Sequence, residues 1–317
     1  MPVRLAERVP RFVAPMLLTP AASAPSEDGW VLEVKWDGMR AQALLDRGRL
    51  TVRSRRGRDC TAQFPELADA PPTATATHTL LLDGALVCFN QQGRPDFARL
   101  RARLARSGAG ARAHAARNPV TLIVFDVLHA DGHAVRRLPY GQRRKLLSEL
   151  QLTGARWQTP EAFDAHADLI AATRAHDLEG VVAKRLDAAD QPGRRSPTWR
   201  KIKNTRTERL VIVGWQPGLG EPDSLLLARP DPHTGKLRPA GRVPLRIAER
   251  DRATARRALA QLERPRRARG RLRMLEPALE IDVSHHGGTD GPVRDPHART
   301  IRPRSTARSR QAASSSP

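Results

Sequence analysis

The sequence predicts an α+β fold in two domains: a mixed domain over residues 1–204 and a small β-barrel of the OB type over 205–304, with a tail at 305–317. Three observations carry this. At 317 residues the chain can bury two ordinary cores. Up to residue 204, short runs of strand periodicity alternate with helical stretches. From Thr205 the pattern changes to short strands with one helix in about 100 residues, which suits an OB barrel.

Residues 10–28 are rich in Pro and Ala and predict an irregular lead. Trp30–Lys35, Arg40–Leu45 and Arg49–Arg53 predict a meander, with Asp46-Arg47-Gly48 in one turn and Trp36-Asp37-Gly38-Met39 in another. Thr79–Phe89 reads as a strand-pair region, Phe97–Arg117 as one Arg/Ala-rich helix and Thr121–Leu128 as a buried apolar strand. Tyr140–Leu150 and Glu161–Ala175 read as helices and Gly180–Lys184 as a strand. The polar stretch Asp187–Pro197 predicts an exposed loop. In the second domain, strands are expected at Arg209–Trp215, Ser224–Ala228, Gly235–Val243 and Ala278–Val283, with a helix at Ala248–Leu262. The tail from Ser305 is basic and Ser-rich, a composition of disorder.

A formal charge of +22 favours a polyanionic partner, nucleic acid first, through phosphate neutralisation and counterion release. No apolar run reaches the roughly 18–20 residues of a membrane span, and the N-terminus lacks the apolar core of a signal peptide, so the expected location is the bacterial cytoplasm, at the nucleoid. Two cysteines, Cys60 and Cys88, supply neither a disulfide framework nor a four-thiolate zinc site. Of 55 basic residues only six are Lys, at 35, 145, 184, 201, 203 and 236. An amine can lose its proton and attack, whereas a guanidinium stays charged, so the retained lysines are candidates for chemistry.

Lys35-Trp36-Asp37-Gly38 fits K-x-D-G, a weak pattern alone. It is followed in order by Ser54-Arg55-Arg56-Gly57, Leu82-Asp83-Gly84-Ala85, Phe125-Asp126-Val127-Leu128, Glu179-Gly180-Val181-Val182 and Trp199-Arg200-Lys201-Ile202-Lys203. This ordered set resembles that of the covalent nucleotidyltransferases. It is most similar to bacterial ATP-dependent DNA ligases, the stand-alone type and the ligase module of end-joining ligases, from Pro15 to Arg304 and including PMLLTPA, RGRDCTAQFPEL, EGVVAKR and SPTWRKIK.

The resemblance implies an adenylation domain of the nucleotidyltransferase, ATP-grasp-like type, followed by an OB barrel. It implies ATP and Mg2+ as cofactors, with Mn2+ as a substitute, and nicked or broken duplex DNA as substrate of a monomer. Any end-joining role would call for a separate DNA-end-binding protein. Lys35 is then the amine that attacks the ATP α-phosphorus, Lys201 and Lys203 neutralise phosphates, and Asp37 and Glu179 place the metal. Glu33 contacts the adenine amino group, Phe125 stacks on adenine, and Arg40 and Arg55 contact ribose and the 5′-phosphate of the nick. Lys184 matches a basic position without a settled role, and Arg302 in TIRPRS resembles the family's last motif, which meets pyrophosphate.

Two departures stand out. Ala85 occupies a place where the family has a Glu, and Ala cannot act as a carboxylate acceptor. In TIRPRS, Arg304 and Ser305 replace the family's acid and Lys. They keep open a catalytically weakened DNA-binding protein on the ligase fold, and RNA ligase or RNA-capping chemistry is a second alternative. The Arg-rich stretch 256–273 is a candidate DNA-facing surface, and His285-His286 reads as loop composition.

Overall fold

Arg47 and Gly48 both adopt positive φ, 51° and 74°, the geometry of a two-residue hairpin turn between strands of right-handed twist. They join β3 (Met39–Asp46) to β4 (Arg49–Ser54). The computed structural model describes residues 7–69, 78–152, 154–165, 168–217, 222–245, 249–264, 272–286 and 293–304. It divides the chain into two compact units, Met1–Asn204 and Thr205–Pro317.

The first unit contains two five-stranded sheets. One has the order β4-β3-β5-β6-β7, where β5 is Leu80–Cys88, β6 is Val120–Ala130 and β7 is Trp157–Gln158. The other has the order β1-β10-β9-β2-β8, with β1 Leu17–Pro20, β2 Trp30–Val34, β8 Phe163–Asp164, β9 Gly180–Arg185 and β10 Arg195–Lys203. The expected meander is therefore corrected: β2 and β3 belong to different sheets, and Lys35-Trp36-Asp37-Gly38 is the crossing between them. Gly38 is required there, because a Cβ would lie 2.2 Å from the Leu86 carbonyl oxygen of β5. Every residue of β5 is buried, as a central strand covered on both faces should be.

Other expectations change. The lead is not wholly irregular, since β1 pairs in parallel with β10, a long-range partner that local periodicity does not reveal. Thr79–Phe89 yields the single strand β5. The helix expected over Phe97–Arg117 is two, α2 (Phe97–Leu104) and α3 (Gly108–Arg117), after the short α1 (Glu66–Asp69). Asp96 caps α2 by accepting from the Ala98 and Arg99 amides. Gly108, at φ 57°, opens α3 after the break. α4 spans Tyr140–Glu149 as expected, but only Leu169–Ala175 of the next stretch is helical (α5), behind β8. β10 begins at Arg195, inside the expected loop.

In the second unit, β11 (Arg206–Pro217), β12 (Pro222–Pro230), β13 (Leu237–Pro244), β14 (Arg273–His286) and β15 (Arg294–Pro303) form an antiparallel sheet of order β13-β12-β11-β14-β15, with α6 (Glu249–Ala260) between β13 and β14. The Val293 amide, just before β15, donates to the Ala240 carbonyl of β13, which brings the two edges of the sheet together. Leu210, Ile212, Leu225, Val243, Ile281 and Val283 fill its core. His285 and His286 are not loop residues: both are buried at the end of β14. His285 Nε2 lies 3.1 Å from Glu208, which also takes the Arg229 guanidinium. Burial alone would raise the Glu208 carboxyl, but these partners outweigh it and lower its pKa. The tail from 305 and much of the 256–273 stretch lie outside the described residues.

Candidate active site

Pairing between β2, β9 and β10 fixes which motif residues meet. Glu33, Val182 and Lys201 stand opposite one another across the three strands, as do Val31, Lys184 and Trp199. Lys203 pairs with Gly180, whose carbonyl accepts from the Lys35 amide at 2.9 Å. Directly opposed residues share a sheet face, so Glu33, Lys35, Lys184, Trp199, Lys201 and Lys203 lie on one face. Gly180 makes the junction possible: its φ is 139°, and a Cβ would meet the Ile202 carbonyl oxygen at 2.1 Å. Any larger residue would separate the strand ends.

At that junction Lys35 Nζ lies 2.6 Å from Glu179 Oε2, and Lys203 Nζ lies 3.6 Å from Glu179 Oε1. The Lys201 amine is shifted down, by burial first and then by the charges of Lys203 and Lys35. The three lysines and Glu179 are therefore neighbours, although residues 35, 179 and 201–203 are far apart in sequence.

Beside them is a cavity of about 130 Å³ lined by Leu18, Glu33–Trp36, Gly38, Arg40, Ala85, Phe125, Val182, Lys184 and Trp199. Phe125 reaches it through a β-bulge, since Asp83 pairs with Asp126 and Gly84 with Val124, leaving Phe125 as the extra residue. Arg40 crosses from the opposite sheet, grips both oxygens of Asp83 and lies over the Phe125 and Trp199 rings. Asp83 is thus already committed to Arg40 and does not stand in for a carboxylate at 85. Ala85 faces Arg40 across β3 and β5.

The deep end of the cavity holds residues that sequence reasoning underweighted. Lys184 is fully buried against Glu33 (2.7 Å), and Tyr140 donates its hydroxyl to the other Glu33 oxygen. Burial lowers the Lys184 pKa, opposed by Glu33, and burial followed by the Glu33 charge raises that of Tyr140. Tyr140 is the only tyrosine of the chain, the one sequence signal that could have marked it.

The other expected site residues lie elsewhere. Arg55 does not line this cavity but a separate concavity with Met39, Ser54, Arg56 and Arg58. Asp37 is buried beside Gly38. Arg302 is in β15 of the second unit, engaged by Asp282. Among the described residues, no group of three or more His, Cys, Asp or Glu could hold a metal ion.

Behind Arg40, Asp190 is close to Asp126 and Asp83, with Arg143 and Arg40 opposing them. Burial, then these two carboxylates, push its pKa up to about 6. A folded-state value above the unfolded one means stability is full at low pH and is lost as pH rises through about 6, by up to about 3 kcal/mol. Asp190→Asn should match the wild type in urea unfolding near pH 4 and exceed it above pH 7.

A lysine at the crossing of two sheets, with a carboxylate and two further lysines beside an aromatic cavity, is the layout of the nucleotidyltransferase-type ligase fold. The comparisons agree. A family model described as ATP dependent DNA ligase domain matches residues 15–203. The chain is 36% identical over 308 residues to the multifunctional non-homologous end joining protein LigD of Mycobacterium bovis, covering 92% of this chain and 38% of that protein. It is 31% identical over 254 residues to the DNA ligase of Thermococcus onnurineus, covering 75% and 45%. A solved mycobacterial DNA ligase D complexed with ATP and MES has 35% identity and a TM-score of 0.56, with 92% of this chain and 95% of that one covered. The ligase domain of M. tuberculosis LigD matches at 33% identity and a TM-score of 0.54. The chain belongs to the ATP-dependent DNA ligase family, and spans about two fifths of the length of the LigD proteins it matches. Among the described residues no helix is long and apolar enough to cross a membrane.

Proposed function

We propose that this chain seals nicks in duplex DNA with ATP, through AMP carried on Lys35. The observation that carries the reading is the meeting of Lys35, Glu179 and Lys203 at three adjacent strand ends beside a cavity with a buried carboxylate at its deep end. Glu33 receives the adenine amino group, Phe125 stacks on the base, and the triphosphate extends toward Lys201 and Lys203. Lys35 Nζ forms a bond to the α-phosphorus as the bond to pyrophosphate breaks. AMP then passes to a DNA 5′-phosphate, from which the adjoining 3′-hydroxyl displaces it.

Before it attacks, Lys35 passes its proton to water and gives up its bond to Glu179, and Lys203 remains to balance that carboxylate. Glu179, beside Lys35, and Asp37, two residues after it, are the carboxylates that would hold Mg2+, or Mn2+ in its place, together with substrate phosphates; bound there, it would offset charge on the triphosphate. Arg40 turns to the ribose, and Arg55, with Arg56 and Arg58 at the second concavity, takes the 5′-phosphate of the nick. The order of the second unit's sheet, its meeting edges and its helix between the third and fourth strands support an OB barrel. The net charge of +22 supports DNA as the partner, and the relationship to end-joining proteins supports work beside a DNA-end-binding protein.

Labelled ATP with Mg2+ should leave AMP on the protein, seen as a mass increase, and addition of nicked duplex should discharge it into sealed product. Protein that binds nicked DNA but never carries AMP would sink the reading in favour of a DNA-binding protein on the ligase fold. The reaction is expected to be slow, because the cavity wall at Ala85 offers no acceptor to the sugar. Ala85→Glu supplies one across from Arg40 and should raise the rate of adenylation by about tenfold or more, read in a quenched-flow labelling assay.

A further inference from the structure

Lys184 is buried more completely than a lysine should be without a task. Its ammonium has three donors, and three acceptors surround it: Glu33 Oε2 at 2.7 Å, the Tyr140 hydroxyl oxygen at 3.1 Å and the Phe125 carbonyl at 3.2 Å. It also lies 4.4–4.7 Å from the ring centroids of Trp199, Phe125 and Tyr140, so its charge is enclosed by aromatic faces. None of its donors is left for a nucleotide. What it does is hold Glu33, whose other oxygen is held by Tyr140. Arg144, 4.0 Å from that second oxygen, is too far to hydrogen-bond it.

Glu33 still lines the cavity. A carboxylate fixed on both oxygens and lacking a proton can only accept. A purine whose edge carries an amino group donates to it, whereas one with a carbonyl at that edge sets oxygen against oxygen. Without Lys184 the carboxylate would be buried and poorly balanced, held by Tyr140 on one oxygen alone and free to turn, so the acceptor edge it shows the cavity would no longer be fixed.

We propose that Lys184 is a positioning residue for base selection: by holding Glu33 it presents an acceptor-only edge to the cavity, so the site takes adenine and rejects guanine. This rests on the adenine contact assigned to Glu33 above, and goes beyond it in naming the group that makes the contact selective.

The test is equilibrium binding of ATP and GTP by titration calorimetry, with covalent labelling run on the same samples. Lys184→Met keeps an unbranched side chain against the three rings. The ratio of ATP to GTP affinity should fall by at least about tenfold in this variant, because the discriminating polar group loses its fixed form. A variant that weakens both nucleotides by the same factor, or leaves the ratio unchanged, overturns the proposal. If Lys184→Met does not fold, Glu33→Gln/Lys184→Met, which buries no lone charge, is compared with Glu33→Gln, in which Lys184 keeps its neutral oxygen acceptors and the three rings. There the added Lys184→Met should move the ratio by less than about threefold, since an effect exerted through Glu33 disappears with it. A larger shift overturns the proposal. Labelling separates the two readings: ATP-selective binding that depends on Lys184, without AMP on the protein, sinks the Lys35 mechanism alone.

Discussion

Lys35→Arg leaves the protein without covalent AMP, a loss of at least about a thousandfold in the labelling rate, while its melting temperature stays close to that of the wild type. The substitution separates the ion pair that Lys35 makes from the nucleophilic role proposed for it. A guanidinium can keep the ion pair with Glu179, 2.6 Å away in the native site, so the strand junction survives. It does not lose a proton near neutral pH, so it cannot become the nucleophile. Lys35→Ala should be equally unlabelled but less stable, because Glu179 then loses its nearest cation and keeps the more distant Lys203 and the charge of Lys201. Lys201 and Lys203 are the nearest other amines, and peptide mapping decides whether either substitutes. AMP mapped to one of them in Lys35→Arg would remove Lys35 from the mechanism.

How far the site was legible differs between its two ends. The end proposed to hold phosphates was readable because its chemistry is written in residue types: in a chain whose cations are nearly all arginine, four of the six lysines fall in ordered motifs, and three of those meet around Glu179. The base end was not. Tyr140 and Lys184 read as a helix start and a strand end, and only pairing between β2 and β9, with α4 packed against β6, brings them to Glu33. Local periodicity also could not show that β2 and β3 diverge into separate sheets, because each strand alternates alike in a hairpin or apart. The parallel pairing of β1 with β10 joins segments almost the length of the first unit from one another, beyond any local pattern. The histidines of β14 misled for the reverse reason: a His-His-Gly-Gly sequence has loop composition, but Glu208 gives the buried His285 a partner.

Arg143→Met should be the most destabilising single change in the first unit. Arg143 is 0% and Asp126 1% exposed, and the guanidinium meets both carboxylate oxygens at 2.8 Å. Arg143 also donates to the Leu138 carbonyl. Its loss leaves Asp126 buried near Asp190 with no partner of opposite charge in bidentate contact, and breaking such a pair costs about 3–5 kcal/mol. The midpoint of urea unfolding should fall accordingly, and Arg143→Met/Asp126→Leu should recover most of the loss, because the double variant buries no lone charge. A single variant within about 1 kcal/mol of the wild type would show that water or another cation reaches Asp126. The consequence extends to the site. Asp126 follows Phe125 on the bulged strand, and Arg143 lies one helical turn after Tyr140, whose hydroxyl holds Glu33. One ion pair therefore anchors both the ring expected to stack on adenine and the donor that fixes the carboxylate proposed to read the base. At a temperature where Arg143→Met is still folded, its ATP affinity should fall while the Lys35–Glu179 junction, formed by other strands, keeps its geometry.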